Sequence, residues 1–197
     1  LTASLKTPGN ILWVFCNYLA KGECAESTAM SVNAVRYSYM LTDLTFTSTA
    51  LGVCSAMVEH SQPCYRYVFN EPSYPYDKPS LHLAVHGSNT PFAFGNLQAY
   101  YETCASAGCR ASPEQLSVQQ AMERYYIGFI TSGDPNAIAA AGPAGVELPQ
   151  WPAAGTPNAQ TQQYMMLQEP GLGARSGFRA EQTEFWAAVE HSATMLA

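Results

Sequence analysis

Apolar positions recur at two different periods along this chain, and the switches between them mark its elements. Near the start, Ile11–Ala20 is apolar enough for a short buried helix. From Asp43 the spacing is helical: Phe46, Ala50, Cys54, Met57 and Val58 fall three and four apart on one face. Asp43 is placed to cap that helix, and Gln62-Pro63 ends it, since proline disfavours helix at the residue before it. The period then changes. Cys64-Tyr-Arg-Tyr-Val-Phe69 is a compact aromatic and β-branched run bounded by prolines, which predicts a buried strand. Residues 70–81 hold three prolines and two tyrosines and read as a loop. Ser112-Pro-Glu-Gln115 forms a capping box for a helix with Leu116, Val118, Met122, Tyr125, Phe129 and Ile130 as its apolar stripe, stopped by Gly133-Asp-Pro135. Residues 137–149 are an Ala/Gly/Pro-rich connection. Tyr164–Leu167 is a short strand candidate, and a last helix from about Phe178 turns Phe185, Trp186 and Val189 inward. No internal repeat interrupts this order.

The predicted order is helix, strand, loop, helix, strand, helix. It fits the C-terminal end of an α/β sheet protein, with residues 1–197 as one segment of a single domain. A strand as apolar as 64–69 needs neighbours on both sides. The chain offers few others, so the sheet is expected to be incomplete without an upstream polypeptide.

Composition sharpens this picture. Only 12% of the 197 residues are charged, about half the usual globular share of roughly 25%, as expected where part of the surface faces another polypeptide. Nine basic residues, scattered over a chain of net charge −6, form no basic patch, which argues against nucleic acid as a partner. The longest apolar run, Ile11–Cys16, falls far short of the ~18 residues of a membrane span, so no integral membrane segment is expected. The chain begins at Leu1 without a methionine or a leader and is expected to be a processed product or a fragment. Six cysteines without a CxxC point to disulfides and an oxidising compartment. Their order suggests three local pairs: Cys16 with Cys24, Cys54 with Cys64, and Cys104 with Cys109. No Cys or His pair has zinc-ligand spacing, so no metal is expected, and no cofactor signature is present.

His86 is the first chemical candidate. It follows the loop after the buried strand and precedes Gly87. Open α/β sheets gather catalytic groups at the carboxyl ends of strands, where an imidazole can act as general base near neutral pH. His60, His82 and His191 read as structural: His60 closes a helix, His82 lies among loop-forming residues, and His191 sits on the last helix. A nucleophile is missing. The elbow pattern Gly-x-Ser-x-Gly does not occur, and Gly173-Ala-Arg-Ser-Gly177 has the wrong spacing. The six cysteines are all expected in disulfides, and Gly171-Leu-Gly173 precedes no phosphate-binding Lys-Ser or Lys-Thr.

Taken in order, these residues resemble a family. Val85-His-Gly-Ser-Asn-Thr-Pro-Phe-Ala-Phe-Gly95 resembles the catalytic-histidine segment of the type B carboxylesterases, the group that includes cholinesterases and fungal lipases. Thr42-Asp-Leu-Thr-Phe46 resembles the Asp-x-x-Phe that opens the preceding helix, and Tyr65-Arg-Tyr-Val-Phe69 the Tyr-x-Tyr-x-Phe strand. Arg124–Phe129, Thr131-Ser-Gly-Asp-Pro-Asn136, Trp151-Pro152 and Phe185-Trp186 resemble further landmarks. The likeness is strongest over residues 42–190. Two departures stand out. Asn89 replaces a common glutamate three residues after the histidine. Thr183 stands where some relatives carry a cysteine that pairs with the counterpart of Cys54, so Cys54 needs another partner, and Cys64 is nearest.

The resemblance implies the C-terminal part of an α/β-hydrolase fold and carboxylic ester hydrolysis through an acyl-enzyme. In the family the serine, the oxyanion-hole glycines and the triad acid all precede the segment matched here. The resemblance therefore implies that His86 serves a serine and an acid on a separate upstream chain, with a small-molecule or lipid ester as substrate. It also implies that the isolated chain is inactive and that the protein is secreted. Tyr74 and Tyr76 would line the approach to the site. The alternative is a non-catalytic cholinesterase-like module used for binding or adhesion.

Overall fold

A computed structural model describes residues 32–72, 84–102, 110–138 and 147–194. They gather into two units. The first takes 32–64, Ala154–Gln162 and 176–194, and the second takes the described residues of Tyr65–Ala153 and Gln163–Arg175.

The first unit is helical. α1, Val32–Thr42, runs through a wide π turn at Asp43–Thr47 into α2, Ser48–Glu59. Asp43 is therefore not a helix cap. It lies inside a continuous helical run, fully buried, and accepts hydrogen bonds from Arg179 at 2.7 and 2.8 Å from Nε and 2.6 Å from Nη2. A carboxylate in a core must be paired, and a bidentate guanidinium is the strongest partner available. The hydroxyls of Thr45 and Ser48 donate to the carbonyls of Leu41 and Leu44 at 2.6 and 2.7 Å, one turn back along the helix.

The π turn also rotates the helix. Its buried side is Asp43, Thr47, Ser48, Leu51 and Cys54. Of the predicted stripe only Cys54 is buried, whereas Phe46 and Met57 are 52% and 37% exposed. A constant 3.6-residue period cannot foresee an inserted residue. By length and composition the stretch Arg36–Glu59 is long and apolar enough to cross a membrane, although its apolar residues do not form one continuous run. Part of one side packs on protein: α6, Ala180–Thr194, sets Trp186 and Val189 against Tyr39, Met40 and Leu44, while Tyr37, Phe46 and Val53 are exposed. The predicted inward side of the last helix is thus found, with Phe185 half-buried beside Trp186. Arg179, just before α6, has a left-handed backbone (φ 47°) and stacks 5.3 Å above the Tyr39 ring. Thr183 is buried, its hydroxyl donating to Arg179 O and Ala180 O, each at 2.9 Å.

Cys54 and Cys64 form a disulfide with their Cα atoms 5.4 Å apart, as their order in the chain predicts. The bond ties α2 to the chain beyond its end, where Ser61 turns left-handed (φ 56°). Cys16, Cys24, Cys104 and Cys109 lie outside the described residues, as does the helix predicted at Ile11–Ala20.

The second unit is α/β. β1 is only Tyr67–Phe69, shorter than the predicted 64–69, with Arg66 O at its start accepting from Met165 N (2.9 Å); nor is it the buried strand predicted, since Tyr67 is 38% exposed and Val68 and Phe69 are half-buried. β1 pairs in parallel with β2, Gln163–Leu167, in the register Tyr67↔Met165, Val68↔Met166 and Phe69↔Leu167. The crossover carries α3 (Thr90–Ala93), α4 (Leu97–Glu102) and α5 (Pro113–Ser132). β3, Gly173–Ser176, lies on the other side of β2. Residues 168–172 are too short for a parallel crossover, so β3 runs antiparallel. Its Gly-Ala-Arg-Ser sequence is mostly exposed and carries no strand signal, which is why it is invisible to patterning.

The capping box of α5 is present: the Gln115 amide donates to Ser112 Oγ (3.2 Å), and Gln115 Oε1 accepts from Ser112 N (2.9 Å). Gly133 closes the helix. Its buried face is Val118, Ala121, Met122, Tyr125 and Gly128 rather than the full predicted stripe; Phe129 and Ile130 are 51% and 79% exposed. The helix end explains this. The chain folds back so closely that a Cβ on Gly128 would lie 2.9 Å from Pro135 O, so the inner side at that level belongs to Gly128. Met165 and Leu167 of β2 pack with Phe92, Leu97, Met122 and Trp151 in one core.

Candidate active site

The turn that carries His86 is built by short-range bonds and fastened to β1 and α5. Ser88 N donates to Val85 O (3.0 Å) and Thr90 N to Gly87 O (3.1 Å), which closes two successive turns. Gly87 sits at φ +80°, a conformation other residues rarely adopt, so the glycine after the histidine is required by the bend itself. His86 is exposed.

α3 follows at once and inserts Phe92 into the core, its ring 4.9 Å from Phe69 in an edge-to-face contact. Asn89 Nδ2 donates to the Tyr67 hydroxyl at 3.1 Å. The Tyr126 hydroxyl of α5 donates to the same oxygen at 3.0 Å. Beyond α3, Gly95 lies against the Glu123 carboxylate of α5, and its left-handed backbone (φ +68°) favours glycine there. Gln119 closes the same contact, accepting from Leu97 N (3.2 Å) and donating to Glu123 Oε1 (2.9 Å).

Two of the sequence landmarks turn out to be one clamp. Asn136 donates to Trp151 O (3.0 Å) and accepts from Trp151 N (2.8 Å), while its own N–H and side-chain amide are held by Asp134 Oδ1 at 2.9 and 2.8 Å. This fixes Trp151 edge-on to both Tyr125 (5.0 Å) and Tyr67 (5.8 Å). Burial pushes the Tyr125 hydroxyl up to about 12, and it donates to Pro149 O. Burial, followed by its bond to Tyr67, pushes Tyr126 up further still.

Glu71 is a site that patterning reads only as part of a strand boundary. It is buried at the carboxyl ends of the parallel pair, where it accepts from Glu169 N at 2.9 Å. Desolvation raises its pKa, against the opposing pull of that hydrogen bond. A single acidic residue between two turn formers gives no sequence signal for this role. Arg66 is likewise buried, and desolvation lowers its pKa.

Tyr74, Tyr76 and His82 lie outside the described residues. His60 forms the C-terminal cap of α2, and His191 falls within α6. No group of three or more His, Cys, Asp or Glu that could hold a metal occurs among the described residues. His86 is therefore the sequence-predicted catalytic residue that the described structure displays, on a turn fastened to a parallel strand. An exposed imidazole so mounted can accept and return a proton.

A family model described as the carboxylesterase family matches residues 14–186. Carboxylesterase 5A of Canis lupus familiaris is 28% identical over 126 residues, which cover 63% of this chain but 19% of that protein. Among solved structures, a PNB esterase superposes with a TM-score of 0.56 at 22% identity, covering 77% of this chain and 27% of the other. The chain thus spans about a fifth of the length of this curated relative. The structural likeness supports a partial α/β fold, in keeping with the parallel pair, and the family match extends over most of the sequence. The chain belongs to the carboxylesterase family.

Proposed function

We propose that this chain supplies the general-base histidine of a serine carboxylesterase whose nucleophile and triad acid lie on an upstream polypeptide. The observation that carries this reading is His86, exposed on a glycine turn fastened to β1, in a family member without a Gly-x-Ser-x-Gly elbow among its 197 residues. β1 forms one edge of the described three-stranded sheet. In this reading an upstream strand pairs there and completes the sheet.

The chemistry then runs in two halves. The His86 imidazole takes the proton of the serine hydroxyl as its oxygen attacks the ester carbonyl. The tetrahedral adduct collapses, the C–O bond to the alcohol breaks, and the imidazolium returns its proton to the departing alkoxide. Water repeats the sequence on the acyl-enzyme, releasing the carboxylic acid and the free serine. The upstream acid holds the imidazole tautomer. The substrate in this reading is a small-molecule or lipid ester. The Cys54–Cys64 disulfide supports a secreted, extracellular setting.

The test is hydrolysis of p-nitrophenyl esters by the 197-residue chain alone and with its upstream polypeptide. Turnover only with the upstream chain is expected. Full turnover by the single chain would overturn the division of labour, and no turnover by the assembly would favour a binding module.

A further inference from the structure

We propose that Asn89, acting through Tyr67, is a positioning residue for His86. The inference rests on the reading of His86 as the general base. The turn that carries the imidazole meets the sheet at two points three residues apart: the Asn89 amide on Tyr67 and the Phe92 ring on Phe69. Tyr67 and Phe69 alternate along β1 and so face the same side. Phe92 is an apolar contact and fixes depth. Asn89 is directional and fixes the rotation of the turn.

Tyr67 is suited to be that anchor. Its oxygen accepts from both Asn89 and Tyr126, so a residue of α5 holds the hydroxyl from the other side. The residue is 38% exposed; its ring meets Tyr126 (6.3 Å) and Trp151 (5.8 Å) edge-on, and its backbone is in the parallel ladder opposite Met165. A base displaced by about 1 Å can lose on the order of a hundredfold in rate, so an anchor three residues from the imidazole bears on the rate more than on binding.

The experiment uses the full assembly with the upstream polypeptide. Asn89→Ala is expected to lower kcat by about tenfold, with KM unchanged within about twofold. Asn89→Asp keeps the size and can accept the Tyr67 O–H, so it should restore most of the lost kcat. Tyr67→Phe removes the shared oxygen and should reproduce the kcat loss, with the Asn89→Ala/Tyr67→Phe double variant no worse than either single one. An unchanged kcat in Asn89→Ala, or losses that simply add, overturns the positioning role. His86→Ala is run in parallel. Loss of activity there with Asn89→Ala unaffected overturns only the positioning role, whereas an active His86→Ala overturns the parent reading as well.

Discussion

Each of the two units has its own internal ties, and the two sets differ in chemistry. The first relies on specific ties: the bidentate Asp43–Arg179 pair in a helix interior and the Cys54–Cys64 bond at a helix end. The second relies on aromatic burial around a short parallel pair, with Asn136, Asn89 and Glu71 stitching loops to it. In the unit that displays His86, the turn itself is positioned by a neutral, directional hydrogen bond from Asn89 to Tyr67 and by Phe92 on an apolar base. Among the described residues, the Asp43–Arg179 pair and the Cys54–Cys64 disulfide both belong to the first unit. A turn that must hold one imidazole in one orientation gains more from directional contacts to a rigid strand than from an ion pair, whose strength depends little on angle.

The largest effect should separate function from stability. His86→Ala in the active assembly is expected to cut ester hydrolysis by at least about a thousandfold. Because the side chain is exposed, unfolding temperature should barely change. A comparable loss of both would mean that the turn is structural.

Next comes the ion pair. Asp43→Ala leaves the Arg179 guanidinium without the carboxylate that grips it, a change that costs about 3–5 kcal/mol for buried pairs. Urea unfolding of the full chain should show a drop of that order, reported by probes in the first unit. Arg179 is 18% exposed, which favours the lower end of that range. A loss below ~1 kcal/mol would place this pair with ordinary surface bridges.

The disulfide ranks third. Cys54→Ser with Cys64→Ser opens a loop of sequence separation 10, and the chain-entropy account gives a loss of about 2–3 kcal/mol. Reduction of the unmodified protein should cost at least as much, and the double variant should lose less on reduction than the parent does.

The smallest effect is in the second unit and depends on pH. Burial raises the Glu71 pKa above its ordinary 4.5. The folded state therefore binds that proton more tightly than the unfolded chain. The resulting stability is fully present below pH 4.5 and is lost as pH rises through the folded value. Glu71→Gln keeps an acceptor for Glu169 N without the charge. Its unfolding temperature relative to the parent should therefore rise between pH 4 and pH 8, by a few degrees at most. A difference independent of pH would show that Glu71 is not ionising in a buried place.

What could be read from sequence follows the same division. The capping box at Ser112, the stop at Gly133, the β2 strand and the local Cys54–Cys64 pair are set by neighbours in the chain, and each is found. The α/β class and the placement of His86 after a strand were legible for the same reason. The role of Asp43 was not, because it is defined by Arg179, 136 residues away. The face of α2 was missed because a π turn breaks the helical period, and β3 because its residues face solvent and lack β-formers. The Asn89–Tyr67–Tyr126 contact joins three stretches whose proximity only the fold creates.

The central claim is that His86 activates a serine carried outside these 197 residues. The most direct measurement is labelling of the assembled protein with a fluorophosphonate, followed by peptide mass spectrometry to locate the adduct. The account predicts one labelled serine, on the upstream polypeptide, with the adduct lost in His86→Ala. An adduct on a serine within residues 1–197, no adduct at all, or labelling that persists in His86→Ala would contradict it.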